Sequence, residues 1–98
     1  MLDLRNIVRF EWDKGNFEKS YKKHGVLSNE AEEIFLDEEI LILEDTEHSK
    51  QEERFEAIGK IIKGRILFLA FTVRKDKMRI ISARTANEKE RRLYEKKP

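Results

Sequence analysis

The residues best equipped for chemistry lie in the last third of the chain. They run Arg79-Ile80-Ile81-Ser82-Ala83-Arg84-Thr85-Ala86 and continue as Asn87-Glu88-Lys89-Glu90-Arg91-Arg92-Leu93-Tyr94-Glu95. An apolar strand carries arginines and then gives way to a basic amphipathic helix. A guanidinium is always charged and offers a planar fork of donors that matches a phosphate. Arginines on a rigid strand therefore point to an anionic ligand. Strand side chains alternate between faces, which sets Arg79, Ile81 and Ala83 on one face and Ile80, Ser82 and Arg84 on the other. Two groups are expected: Arg65 with Arg84 at one end of the sheet, and Arg74 with Arg79 at the other. Either suits a phosphate; the alternative is edge charge that keeps strands apart.

The other chemical candidates are few. His24 precedes Gly25 at an expected helix end. With an ordinary pKa of about 6.5 it can serve as a general acid or base, or simply as a cation against the helix C-terminal carbonyls. His48 reads as a turn residue in an acidic loop. With no cysteine, disulfides, thiolate zinc sites and cysteine nucleophiles are excluded. No HExxH pair, Walker A loop, GxGxxG or GxSxG occurs, and Asp37-Glu38-Glu39 reads as a solvated turn. No cofactor and no metal are expected. The remaining inventory of Arg, Lys, His, Tyr and Glu suits RNA cleavage, in which the substrate's 2′-hydroxyl is the nucleophile. Such a site needs a base for that proton, cations for the developing phosphorane charge and an acid for the leaving oxygen.

The bulk composition conceals this signal, because the net charge is only +1. Residues 1–53 carry 7 Lys+Arg against 15 Asp+Glu, a charge of −8, and residues 54–98 carry 14 against 5, a charge of +9. Such asymmetry hints at nucleic-acid or membrane contact, or at two halves that neutralise each other. Ninety-eight residues suffice for a single domain, 1–98. The longest apolar run, Ile66 to Val73, is too short to cross a bilayer, and Leu2 to Arg9 does not read as a signal peptide. A soluble cytoplasmic chain without a membrane partner is expected.

The positioning elements follow from periodicity. Ile7 to Trp12 alternates as a short strand. Asp13 caps a helix bearing Phe17 and Tyr21 that ends at Gly25. Ser28 caps a second, acidic helix with Ala31, Ile34 and Phe35 inward. Ile40 to Leu43 reads as a buried strand, Glu44 to Glu53 as a loop, and Arg54–Ile62, Arg65–Arg74 and Met78–Arg84 as three further strands. Lys63-Gly64 and Lys75-Asp76-Lys77 are the expected hairpin turns. A helix from about Asn87 to Lys96 closes the chain, with Asn87 and Glu90 in a capping box and Ala86, Leu93 and Tyr94 toward the sheet. The expected class is α+β: an antiparallel four-stranded sheet with a short N-terminal strand, two N-terminal helices and one C-terminal helix.

The ordered blocks Phe10-Glu11-Trp12-Asp13, Lys23-His24-Gly25-Val26, Glu30-Ala31 with Phe35 and Asp37, Asp45 with His48-Ser49, Glu53-Arg54, Ile58-Gly59, and Arg79 to Arg84 with Ala86, Glu90 and Tyr94 resemble the BrnT family, toxins of type II toxin–antitoxin modules. Many relatives carry an aromatic or hydrophobic residue where this chain has Asn29. The resemblance implies a RelE-like fold and a ribonuclease toxin that inhibits translation and growth. It also implies a ribbon-helix-helix, BrnA-like antitoxin, a hetero-oligomeric complex, and operator DNA contacted only indirectly through that complex. Carried over, Arg65 and Arg79 would bind and stabilise the scissile phosphate and His24 would be acid or base, with Glu56 or Tyr94 as substitutes. Arg84, Lys22, Lys23 and Arg74 would bind substrate. The competing expectation is a non-catalytic module that binds its antitoxin and supports operator binding and autorepression.

Overall fold

Blocks of β-branched and aromatic residues make the strands, and the pairing register then decides which side chains share a face. The computed structural model describes residues 9–12, 25–47, 53–74 and 77–96. Among these lie β1 (Arg9–Trp12), helix α1 (Ser28–Glu33) continued by a 3-10 turn (Ile34–Leu36), β2 (Leu41–Glu44), β3 (Arg54–Lys60), β4 (Ile66–Arg74), β5 (Lys77–Thr85) and helix α2 (Glu88–Lys96). The strands form one sheet in the order β1-β5-β4-β3-β2. β2 to β5 form an antiparallel meander, and β1 pairs in parallel with β5.

This corrects the expected class. The sheet has five strands and is mixed, where four antiparallel strands were expected. The described residues hold two helices, one short and N-terminal and one C-terminal, in place of three. The reason lies in β1. Its Phe10 and Trp12 pair with Met78 and Ile80 and so reach the main core, while β1 covers an edge of β5 that would otherwise expose unpaired backbone groups. Alternation reveals which side chains of a strand are buried but not the direction in which it pairs. The helix expected over Asp13 to His24 lies outside the described residues.

The β3–β4 link is also longer than expected. Five residues, Ile61 to Arg65, connect the strands where a two-residue Lys63-Gly64 turn was expected. The Ile61 amide donates to the Arg65 carbonyl (2.9 Å) and the Gly64 amide to the Ile61 carbonyl (2.8 Å). Gly64 takes φ +98°, a conformation that costs glycine little.

Each face of the sheet holds a core. On one, Ala57, Leu67, Leu69, Phe71, Met78, Ile80 and Ala83 pack beneath Val26, Ala31 and Ile34. Phe35 meets Phe71 edge-on with ring centroids 5.5 Å apart. The 3-10 turn comes so close that a Cβ built on Gly59 would stand 2.8 Å from Ile34 Cβ. On the other face, Ile58, Ala86 and Tyr94 are buried with Leu41, Ile66 and Phe68. α2 therefore covers only the Ile58/Phe68 end of that face, which is here called the α2 face.

The caps fix both helices. α1 begins one residue earlier than expected: Leu27 is its N-cap and Ser28 its first residue, and Glu30 Oε1 accepts the Leu27 amide (3.0 Å). At α2, Asn87 Oδ1 accepts the Glu90 amide (2.8 Å) while Glu90 Oε1 accepts the Asn87 amide (2.9 Å), a reciprocal capping box built on asparagine.

Candidate nucleic-acid interface

One irregularity reorganises the arginines. Ala70 pairs with Ser82, and the next residue, Phe71, pairs with Ile80. Ile81 is thus an extra residue, a bulge that shifts side-chain parity along β5. Met78, Ile80 and Ala83 all reach the main core as a result. Arg79 lies opposite Thr72, and Arg84 opposite Phe68, so both arginines stand on the α2 face. Strict alternation had separated them.

The register aligns that face into rows. Glu11 of β1, Arg79 of β5, Thr72 of β4 and Arg54 of β3 lie side by side across the sheet. The next row toward α2 is Ser82, Ala70, Glu56 and Leu43. The row after it is Arg84, Phe68, Ile58 and Leu41, and it is here that α2 packs. On the far side of the arginine row, Arg74 pairs with Lys77, and Lys77 Nζ lies 3.3 Å from Glu11 Oε1. Arg74 and Arg79 therefore stand together at this end of the sheet, as expected, and the register sets both on one face.

Arg84 is committed elsewhere. Its Nη1 and Nη2 donate to Glu90 Oε1 and Oε2, each at 2.7 Å, and its guanidinium stacks 4.3 Å over the Phe68 ring. The hydrogen bonds to Glu90 hold the Arg84 pKa above its usual value, burial working against them and the charges of Glu90 and Glu56 adding to them. For Glu90, burial is the largest influence and raises the pKa. The Arg84 and Asn87 hydrogen bonds and the Arg84 charge together outweigh it, so the carboxyl sits below its usual range. Arg84 thus clamps the start of α2 to the sheet.

Arg65 sits at the entry to β4. Its Nε and Nη2 donate to Thr85 Oγ1 (2.9 and 2.6 Å) and its Nη1 to the Gly25 carbonyl (3.1 Å). Thr85 pairs with Leu67, on the main-core face. Arg65 and Arg84 therefore do not share a site. Nor do Arg65 and Arg79: six residues separate Thr85 from Arg79, about 20 Å of strand, and the faces differ. His24, Lys22 and Lys23 lie outside the described residues.

Tyr94 also has a structural duty. Its hydroxyl donates to Asp37 Oδ2 (2.5 Å), which accepts the Lys60 amide as well (2.9 Å), while Asp37 Oδ1 accepts the Glu39 amide (2.9 Å). Burial, the Asp37 hydrogen bond, and the Asp37 and Glu39 charges push the Tyr94 pKa far above its ordinary value. Glu56, in contrast, lies on the α2 face one row from Arg79. An open groove of about 410 Å³ runs beside it, lined among others by Leu43, Ile58, Phe68, Arg84, Glu90 and Leu93. Leu93 was expected to face the sheet but is 46 % exposed.

Sequence reasoning missed Arg54 and Thr72 as neighbours of Arg79. Their spacing carried no signal, because three strands must pair in register before the row exists. Among the described residues, no group of three or more His, Asp or Glu side chains is arranged to hold a metal ion, and no helix is long and apolar enough to cross a membrane.

The fold is thus a small mixed sheet with a row on one face that holds Arg79 and Arg54, beside a C-terminal helix. A family model described as "Ribonuclease toxin, BrnT, of type II toxin-antitoxin system" matches residues 12–90, and the chain belongs to that family. Its fold is similar to that of the Brucella abortus ribonuclease toxin BrnT, seen in a 1.1 Å crystal structure, with 21% identity over 83% of this chain and 99% of that one and a TM-score of 0.62. No curated protein matches the chain.

Proposed function

We propose that the chain is a metal-independent endoribonuclease whose centre is the α2 face around Arg79, and that it inhibits translation and growth by cutting RNA in the cytoplasm. The observation that carries this reading is the register of β3, β4 and β5, which sets Arg79 in one row with Arg54 across Thr72 and beside Arg74, at the end of the face away from α2. Fixed cations on a rigid sheet can stabilise the charge that develops on a phosphorane without reorganising at the moment of reaction. The substrate's own 2′-hydroxyl attacks the adjacent phosphorus, its proton passing to a base while the 5′-oxygen of the next nucleotide leaves with a proton from an acid. Glu56, on the same face and one row away, is the base in this reading. Arg79 holds the scissile phosphate and Arg74 a flanking one.

Arg65 enters this reading as a residue that grips RNA beyond the cleaved bond, and Lys22 and Lys23 as further substrate-binding residues. His24 keeps the acid–base role as an alternative to Glu56. The antitoxin, a BrnA-like ribbon-helix-helix protein, inhibits by lying across the α2 face. The groove beside Glu56, with Leu43 and Leu93 partly exposed, favours a partner there, since a strand of apolar side chain can fill it while acidic groups meet Arg79. The hetero-oligomer, and not the toxin alone, then contacts operator DNA.

The test is incubation of the purified protein with a defined RNA in EDTA, beside Arg79→Ala, Glu56→Gln and Arg65→Ala. Cleavage leaving a 2′,3′-cyclic phosphate is expected, abolished by Arg79→Ala, lowered in kcat by Glu56→Gln, and raised in KM by Arg65→Ala. Full activity of Arg79→Ala would remove that residue from the centre, and inhibition by EDTA would remove metal independence. An unchanged antitoxin affinity in Arg79→Glu would place the antitoxin elsewhere.

A further inference from the structure

We infer that Thr72 and Arg54 complete a phosphate-binding cradle with Arg79, in which the Thr72 hydroxyl is the floor and the two arginines are the walls. This inference rests on the reading of the α2 face as the RNA-binding surface and names two further residues of it.

The register makes the cradle. Arg54 pairs with Thr72 on β3 and β4, and Thr72 pairs with Arg79 on β4 and β5. One short hydroxyl side chain is thus flanked on each side, in a single row, by a long cationic one. Adjacent strands are about 4.8 Å apart, so the two arginine backbones stand about 10 Å from each other across Thr72, a span that two guanidinium arms close over a single phosphate. Both arginines are half-buried rather than extended into solvent.

Thr72 supplies an independent observation. It is 5 % exposed, the one polar residue among the buried side chains described, and its Oγ1 is buried without a hydrogen-bond partner among the described residues. A buried hydroxyl that makes no hydrogen bond is destabilising. Valine has nearly the same shape and would fill the position without that cost, on a sheet whose neighbouring positions hold Ala70, Phe71 and Val73. A hydroxyl placed between two arginines is instead suited to donate to a phosphate oxygen whose charge the arginines balance.

Arg84 lies outside the cradle. It makes two short bonds to Glu90 and stacks on Phe68, in the row on which α2 packs. The Arg54–Thr72–Arg79 row lies two rows from Arg84's and away from α2.

The experiment measures binding of a short 2′-O-methyl oligoribonucleotide, which presents phosphodiesters but cannot be cut, to the full chain and to Thr72→Val, Thr72→Ser, Arg54→Gln and Arg79→Ala, with thermal unfolding of each. Thr72→Val is expected to melt at or above the wild-type temperature yet bind about tenfold or more weakly, the factor that one hydrogen bond to a charged group carries. Thr72→Ser restores binding, and Arg54→Gln weakens it as Arg79→Ala does. Wild-type affinity in Thr72→Val overturns the cradle: if Arg79→Ala still weakens binding the reading of the α2 face survives, and if it does not, both fall. A loss in Thr72→Val that tracks a lowered melting temperature and is not restored by serine makes Thr72 a packing residue and also overturns it, as does failure of the wild-type chain to bind the oligonucleotide.

Discussion

Arg79 and Arg84 leave β5 on the same face of the sheet, although five positions separate them. The extra residue Ile81, skipped in the pairing between Ala70–Ser82 and Phe71–Ile80, turns an odd spacing into a shared face. The two arginines nevertheless do different work. Arg84 is bound to Glu90 and lies over Phe68, and Arg79 stands in the row with Thr72 and Arg54.

That division can be separated by mutation. Arg79→Ala is expected to remove growth arrest and RNA cleavage with a thermal midpoint close to wild type. Arg84→Ala is expected to lower stability by about 1–3 kcal/mol, because Glu90 loses a bidentate partner, which in a chain of this size is a drop of several degrees or more. Denaturant unfolding of both variants beside an RNA cleavage assay checks it, and the reverse pattern would show the roles exchanged.

Acid should loosen α2. The Glu90 pKa is lowered in the fold, so the unfolded chain binds a proton at this site more readily than the folded one. The stabilisation is therefore complete above the ordinary glutamate pKa of about 4.3 and is lost as pH falls through the lower folded value. Glu90→Gln is expected to cost about 1–3 kcal/mol at pH 7 and to flatten the slope of stability against pH in the acid range. An unchanged acid slope in that variant would assign the slope to other carboxyls.

Alkali should act through Tyr94. Its pKa is raised in the fold, so its contribution is fully present below the ordinary tyrosine pKa of about 10 and is lost as pH rises above it. Tyr94→Phe keeps the ring in its core but removes the hydroxyl from Asp37. We expect a loss of about 1–3 kcal/mol near neutrality and a shallower fall in stability above pH ~10, measured by urea midpoints from pH 8 to 11.

Gly59→Ala tests the approach of the 3-10 turn to β3. The added methyl would meet Ile34 Cβ at 2.8 Å, and both residues are fully buried or nearly so. The expected cost is about 1–3 kcal/mol, with RNA cleavage per folded molecule unchanged because the contact lies on the face opposite Arg79. A Gly59→Ala chain as stable as wild type would show that the 3-10 turn yields to the added methyl without cost.

The sequence alone determined the elements whose signal is local. Alternation marked Phe10 and Trp12, the apolar run at Ile66 to Val73 marked β4, and Asn87 with Glu90 marked the start of α2, because each depends on residues a few positions apart. It also grouped Arg74 with Arg79 at the β4–β5 turn. Tertiary structure decided the rest. The parallel pairing of β1 with β5 makes a five-stranded mixed sheet out of the expected four antiparallel strands, since nothing in a four-residue strand encodes its partner or direction. The bulge at Ile81, which lets both Ile80 and Ala83 reach the main core, exists only in the pairing of β5 with β4 and not in β5 on its own. Arg84 became a clamp only when α2 brought Glu90 to it, and Arg54 and Thr72 became neighbours of Arg79 only through the register of three strands. Periodicity tells which side chains are buried, but the company they keep is set by contacts between residues far apart in the chain.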